Sequence, residues 1–133
     1  MEIYTNKRTN QNIIFENEIK KFNDFAFSKE EYVGYGEYVK QSCGACKFGK
    51  IRIRIKKDIN PSFHWEVNDS QIPICYLDDI LSTIKSFFSG ENFLDFKGLS
   101  FHIIDGEFHE VDSSSSSFEV ATVRALMSAI NEN

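Results

Sequence analysis

Residues 106–118 read GEFHEVDSSSSSF, and their reading decides the fold. Five consecutive serines in isolation suggest a flexible tether, yet these stand between two patterned apolar segments. Downstream, within FEVATVRALMSAI, the residues Phe118, Ala121, Leu126, Ala129 and Ile130 recur at helical spacing. Asp112 and the serines directly precede that pattern. Asp and Ser are favoured helix N-caps because their side-chain oxygens accept from orphan backbone N–H groups, worth about 1 kcal/mol. The tract therefore reads as a helix start, with the chain helical from about Ser115.

Upstream, LSFHIIDGEF at 99–108 has strand character. The clearest strand is KIRIRIKK at 50–57, where Ile51, Ile53 and Ile55 alternate with Lys50, Arg52, Arg54 and Lys56. Period two places the isoleucines on one face and the four cations on the other. After the turn residues KDINP, SFHWEV alternates again, with Phe63, Trp65 and Val67 expected inward and His64 and Glu66 outward. The short connection predicts an antiparallel hairpin of these two strands, with Glu66 partly neutralising the cationic stripe.

EYVGYGEYVKQ at 31–41 reads as a further strand, in which Gly34 and Gly36 suggest a bulge. PICYLDDILSTIKSFFSG at 73–90 reads as a helix. Pro73 opens it, Gly90 closes it, and Ile80, Leu81, Ile84, Phe87 and Phe88 form its apolar stripe. Near the N-terminus, Ile14, Phe15, Ile19 and Phe22 fit either a short helix or a short strand.

The bulk composition is that of a one-domain globular chain: 133 residues, 41% hydrophobic and 26% charged. Thirteen Phe predict a core built around rings. The net charge of −5 argues against whole-molecule attraction to nucleic acid or anionic membrane. No signal-like or membrane-length apolar run is present, and three cysteines do not suggest a disulfide framework, so a cytoplasmic protein with reduced thiols is expected.

GYGEYVKQSCGACKFGKIRIRI at 34–55 resembles the opening of domain IV of bacterial translation elongation factor G. DGEFHEVDSSSSSFEVATVRAL at 105–126 is similar to the same domain's His-[Glu/Asp]-Val-Asp-Ser-Ser segment and following helix. The resemblance covers roughly residues 30–131 and leaves 1–29 as an N-terminal extension before a domain at 30–133. It implies an α+β fold: a two-layer α/β sandwich, mostly antiparallel, with two helices on one face and a left-handed βαβ crossover. It also implies a tip that mimics a tRNA anticodon arm and reaches the decoding centre through two loops. The first loop maps onto Gln41, Ser42, Cys43, Gly44, Ala45, Cys46 and Lys47; the second maps onto His109, Glu110, Val111 and Asp112. Where the family has Gly-Gly-Arg-Gly in its first loop, this chain has CGAC, losing the arginine that would meet phosphate.

Little in the sequence points to catalysis. Nothing resembles a P-loop, so GTP-driven translocation is not expected. Cys43 and Cys46 form one Cys-x-x-Cys pair, which Cys75 and three histidines could complete as a zinc site. Structural zinc sites usually show two such pairs, so no metal and no cofactor are expected. His109, Asp112 and Ser113 lie too close in sequence for a catalytic relay. The expectation is a non-enzymatic module that binds the ribosome or structured RNA through the tip loops and the stripe Lys50, Arg52, Arg54 and Lys56. The alternative is a protein-binding module, such as an inhibitor or immunity-type protein. No membrane or small-molecule partner is expected.

Overall fold

A computed structural model describes residues 15–41, 46–88 and 98–131. The elements run α1 (Glu16–Asp24), β1 (Glu31–Lys40), β2 (Lys47–Lys57), β3 (Ser62–Trp65), a single 3-10 turn (Ile74–Tyr76), α2 (Leu77–Lys85), β4 (Leu99–Glu107) and α3 (Ser115–Asn131). The four strands form one sheet in the order β1-β2-β4-β3. β2 pairs antiparallel with β1 and with β4, whereas β3 and β4 are parallel and joined through α2. The fold is α+β, and the described residues form three α-helices and one four-stranded sheet.

The alternation along β2 produces the face that was expected. Ile51, Ile53 and Ile55 are fully buried beneath the helices, and the cations point to the opposite side. The predicted β2–β3 hairpin is not formed. A strand has two edges, and those of β2 are taken by β1 and β4, so β3 lies beyond β4 at the sheet margin. There Phe63 and Trp65 are only half-buried, while Val67 is buried.

Gly34 and Gly36 do not make a bulge either; β1 pairs with β2 in unbroken register from Glu31↔Lys56 to Lys40↔Lys47. Their role is close approach. A Cβ on Gly34 would overlap the Ala125 carbonyl oxygen, and one on Gly36 would overlap that of Ala121. A Cβ on Gly49 would press on the Ser117 carbonyl oxygen at 3.1 Å. The small residues Ser117, Ala121, Ala125 and Ala129 recur every fourth position, so α3 lays one small-residue row directly on the glycines of β1 and β2. Its other sides carry Phe118, Val123, Leu126 and Ile130, all buried. A helix clasped this way is buried on most of its sides, with Arg124 exposed.

The true bulge lies in β4. Register with β2 slips between Arg52↔Asp105 and Ile53↔Ile103, leaving Ile104 without an opposite number. The slip reverses the alternation: Ile103 faces the core, yet Asp105 and Glu107 emerge on the side of the cations. Gly106 then turns inward, under the buried Ile72, where a Cβ would collide with that side chain.

The aromatic residues meet in the core as composition suggested. Phe22 of α1 is 2% exposed and makes edge-to-face contacts with Phe27, Phe87 and Phe88 at 5.2, 5.4 and 5.9 Å. Of the two readings left open for this segment, the helix is the one formed. α2 starts at Leu77, after the 3-10 turn that follows Pro73, and Ile80, Ile84, Phe87 and Phe88 are buried. Gly90, expected to close it, lies outside the described residues.

Candidate nucleic-acid interface

β1 ends and β2 begins at the same end of the sheet where β4 leaves and α3 starts. Two segments far apart in sequence are thereby joined. The Phe48 backbone N–H donates to the Asp112 carbonyl at 3.2 Å, and the Ser113 hydroxyl donates to the Phe48 carbonyl at 2.8 Å. The Phe48 and His109 rings lie 6.1 Å apart. Sequence reasoning missed Phe48, which anchors the start of β2 to the 109–113 loop. Its place two residues after Cys46, at the start of an alternating strand, was the available signal.

The 109–113 loop folds around its histidine. His109 N–H donates to Ser113 Oγ at 2.9 Å, and Ser113 N–H donates to the His109 carbonyl at 3.0 Å. The Val111 and Asp112 N–H groups both donate to His109 Nδ1, each at 3.3 Å. Those contacts need a lone pair on Nδ1, which assigns the neutral Nε2–H tautomer. The 3.6 Å approach of Nδ1 to Asp112 Oδ2 would be an ion pair only with Nδ1 protonated. That state gives up both backbone contacts. In the neutral tautomer the half-exposed ring carries an N–H donor on Nε2.

The serine tract is fully employed in this corner. Ser114 caps α3, its Oγ accepting from Ser117 N–H at 3.3 Å, and the helix begins at Ser115 as expected. Ser115 Oγ donates to Asp79 Oδ2 at 2.9 Å, tying α3 to α2. Ser116 Oγ lies 3.2 Å from Ser114 Oγ, and Ser117 is buried against Gly49.

Of the expected tip residues, Gln41, Cys46, His109 and Glu110 are exposed, Asp112 is half-buried and Lys47 opens β2 opposite Lys40. Ser42, Cys43, Gly44 and Ala45 lie outside the described residues. Val111 is an apolar side chain 82% exposed.

The expected cationic stripe shares one open sheet face with carboxylates. Arg54 Nε lies 3.1 Å from Glu31 Oε2, out of line for a hydrogen bond but within ion-pair range. Lys50 Nζ lies 3.7 Å from Glu107 and 5.3 Å from the Phe48 ring centroid. Arg52 lies over the Tyr35 ring and opposite Asp105. Burial and the hydrogen bond to Glu37 (2.7 Å) push the Tyr35 hydroxyl up to about 12. Glu66 shares the face of the stripe but not the expected hairpin position beside it. Its partner is His102, at 2.7 Å, because β3 pairs with β4. That hydrogen bond holds the Glu66 carboxyl below its ordinary range.

The comparisons with known proteins agree with this architecture. Residues 26–133 match the family described as Elongation factor G, domain IV. Elongation factor G of Mycoplasma pneumoniae is 32% identical over 110 residues, covering 77% of this chain and 15% of that protein. Elongation factor G of Wolbachia pipientis is 33% identical over 102 residues, covering 70% and 14%. The chain thus spans about one seventh of these relatives. A crystal structure of a Thermus thermophilus protein superposes with a TM-score of 0.66 at 28% identity, over 78% of this chain and 16% of that one. Among the described residues no helix is long and apolar enough to cross a membrane. With the family match over four fifths of its length, the chain belongs to the elongation factor G domain IV family.

Proposed function

We propose that this translation-related domain is a non-catalytic module that binds the ribosome through the end of the sheet where Lys40, Lys47 and Phe48 lie beside residues 107–113. The observation that supports this reading is the junction of Phe48 with Asp112 and Ser113, which joins the start of β2 to the 109–113 loop. That surface offers the His109 Nε2–H donor, the exposed Val111 and the Lys40 and Lys47 pair, a set able to meet phosphate, ribose and base together. Lys50, Arg52, Arg54 and Lys56 extend it along the sheet. Two of the four already face carboxylates at ion-pair distance, so they contribute less than a bare stripe.

Co-sedimentation of the full chain with ribosomes at low and high salt tests the reading. Binding at low salt that weakens as salt rises is the expected result. A second reading, a protein-binding module, is favoured by the mixed-sign sheet face and the net charge of −5. A native pull-down that recovers one protein and no ribosomal RNA, with no co-sedimentation, would replace the first reading by the second.

A further inference from the structure

On the open sheet face, at the β3–β4 margin, lies a group of side chains that the proposed function does not use. The parallel register sets Ser62 beside Ser100 and His64 beside His102, so the motif Ser-x-His occurs twice, side by side. The imidazoles stack with centroids 4.3 Å apart and planes 4° from parallel. Each is held the same way: Ser62 Oγ lies 2.8 Å from His64 Nε2, and Ser100 Oγ lies 3.0 Å from His102 Nε2. Glu66 follows on the same face, kept on the ladder by its N–H donating to the Ile103 carbonyl at 2.9 Å. Its carboxylate reaches His102 Nδ1 at 2.7 Å. One ligating atom from each of His64, Glu66 and His102 lies within 4.8 Å of the others.

We propose that His64, Glu66 and His102 bind a divalent transition metal ion, with zinc the best fit. Around a tetrahedral zinc with ligand bonds of about 2.0–2.1 Å, donor atoms stand roughly 3.3 Å apart. The widest separation, at most 4.8 Å, therefore closes by up to about 1.5 Å while the 2.7 Å Glu66–His102 pair opens by roughly 0.6 Å, adjustments that side-chain rotation supplies. Two imidazoles and one carboxylate suit zinc, cobalt, nickel or copper ions over magnesium and calcium, which prefer all-oxygen sets. A metal ligand needs its second ring nitrogen oriented, and the two serines sit at the Nε2 atoms in that role. With metal on Nδ1, each Nε2 carries its proton and donates to its serine. The fourth position is open to water or to a donor from another molecule.

The test uses the full chain with Cys43, Cys46 and Cys75 changed to Ser, which removes competing thiols. Cobalt ion is titrated by visible absorption and zinc ion by calorimetry. One equivalent per chain is expected. His64→Ala and His102→Ala should each abolish binding, and the double change Ser62→Ala/Ser100→Ala should weaken it by about 10-fold to 100-fold. His64 is exposed, so its variant keeps the test valid if His102→Ala fails to fold. In proton NMR, zinc should shift the ring signals of His64 and His102 and leave those of His109 in place. No binding at millimolar ion, binding that survives His64→Ala, or binding lost with the cysteines would overturn the proposal.

Discussion

Ser113 Oγ donates to the Phe48 carbonyl at 2.8 Å, a hydrogen bond between residues 65 apart in sequence. The same hydroxyl accepts from His109 N–H. One side chain therefore joins β2 to the loop that positions the histidine. Ser113→Ala leaves a donor and an acceptor without partners at a half-buried site and should cost about 1–2 kcal/mol. Urea denaturation reads the loss, and faster amide exchange at His109 should accompany it. Unchanged stability and exchange would mean the hydroxyl is dispensable.

The glycine row predicts a larger effect. Gly34→Ala and Gly36→Ala each force a methyl group into an α3 carbonyl, so α3 must lift from the sheet. Each should cost about 3 kcal/mol or more. Gly98→Ala is the contrast, since its φ of 79° strains a side chain but the nearest atom to an added Cβ is 3.8 Å away. That change should cost about 1–2 kcal/mol. Equal losses at all three positions would contradict the close-packing account.

Phe22 lies ahead of the matched family segment yet is at the centre of the ring cluster. Phe22→Ala should destabilise the domain by about 3–5 kcal/mol. A loss under about 1 kcal/mol, the scale of an ordinary surface change, would show that α1 is an appendage rather than part of the core.

The Glu66–His102 contact carries a pH dependence. The folded state lowers the Glu66 pKa below its ordinary 4.5, so its contribution is present above that pH and fades as pH falls through the folded value. Glu66→Gln should therefore reduce stability near neutral pH and converge with the wild type in the acid limb. The difference will be small, because the carboxylate is 45% exposed. A gap that persists unchanged to acid pH would assign the effect to packing.

Faces were legible in the sequence; neighbours were not. Alternation in KIRIRIKK sorts isoleucine from cation whatever strand lies alongside, so the β2 core face was readable. The pairing of β3 depends on which edges of β2 remain open, a long-range competition that the turn-like KDINP does not report. The mistaken hairpin then misplaced Glu66 and hid the His64–His102 stack, which exists only if β3 lies beside β4. The β4 bulge was likewise silent, and it delivers Asp105 and Glu107 to the cations. Gly34 and Gly36 signalled something special in the backbone, but only the small-residue row of α3 distinguishes close approach from a bulge. The start of α3 was readable because Ser-rich capping is a local effect.

The most direct test of the proposed function compares two variants in the ribosome co-sedimentation assay. His109→Ala/Lys47→Glu alters the end where β2 meets the 109–113 loop, whereas Arg52→Glu/Arg54→Glu alters the sheet face. The account predicts that the first abolishes binding and that the second weakens it, with a shallower salt dependence than the log–log slope of about −3 expected if all four stripe cations met phosphates. Full binding by the His109→Ala/Lys47→Glu variant, or no binding by the wild type at any salt, would contradict it.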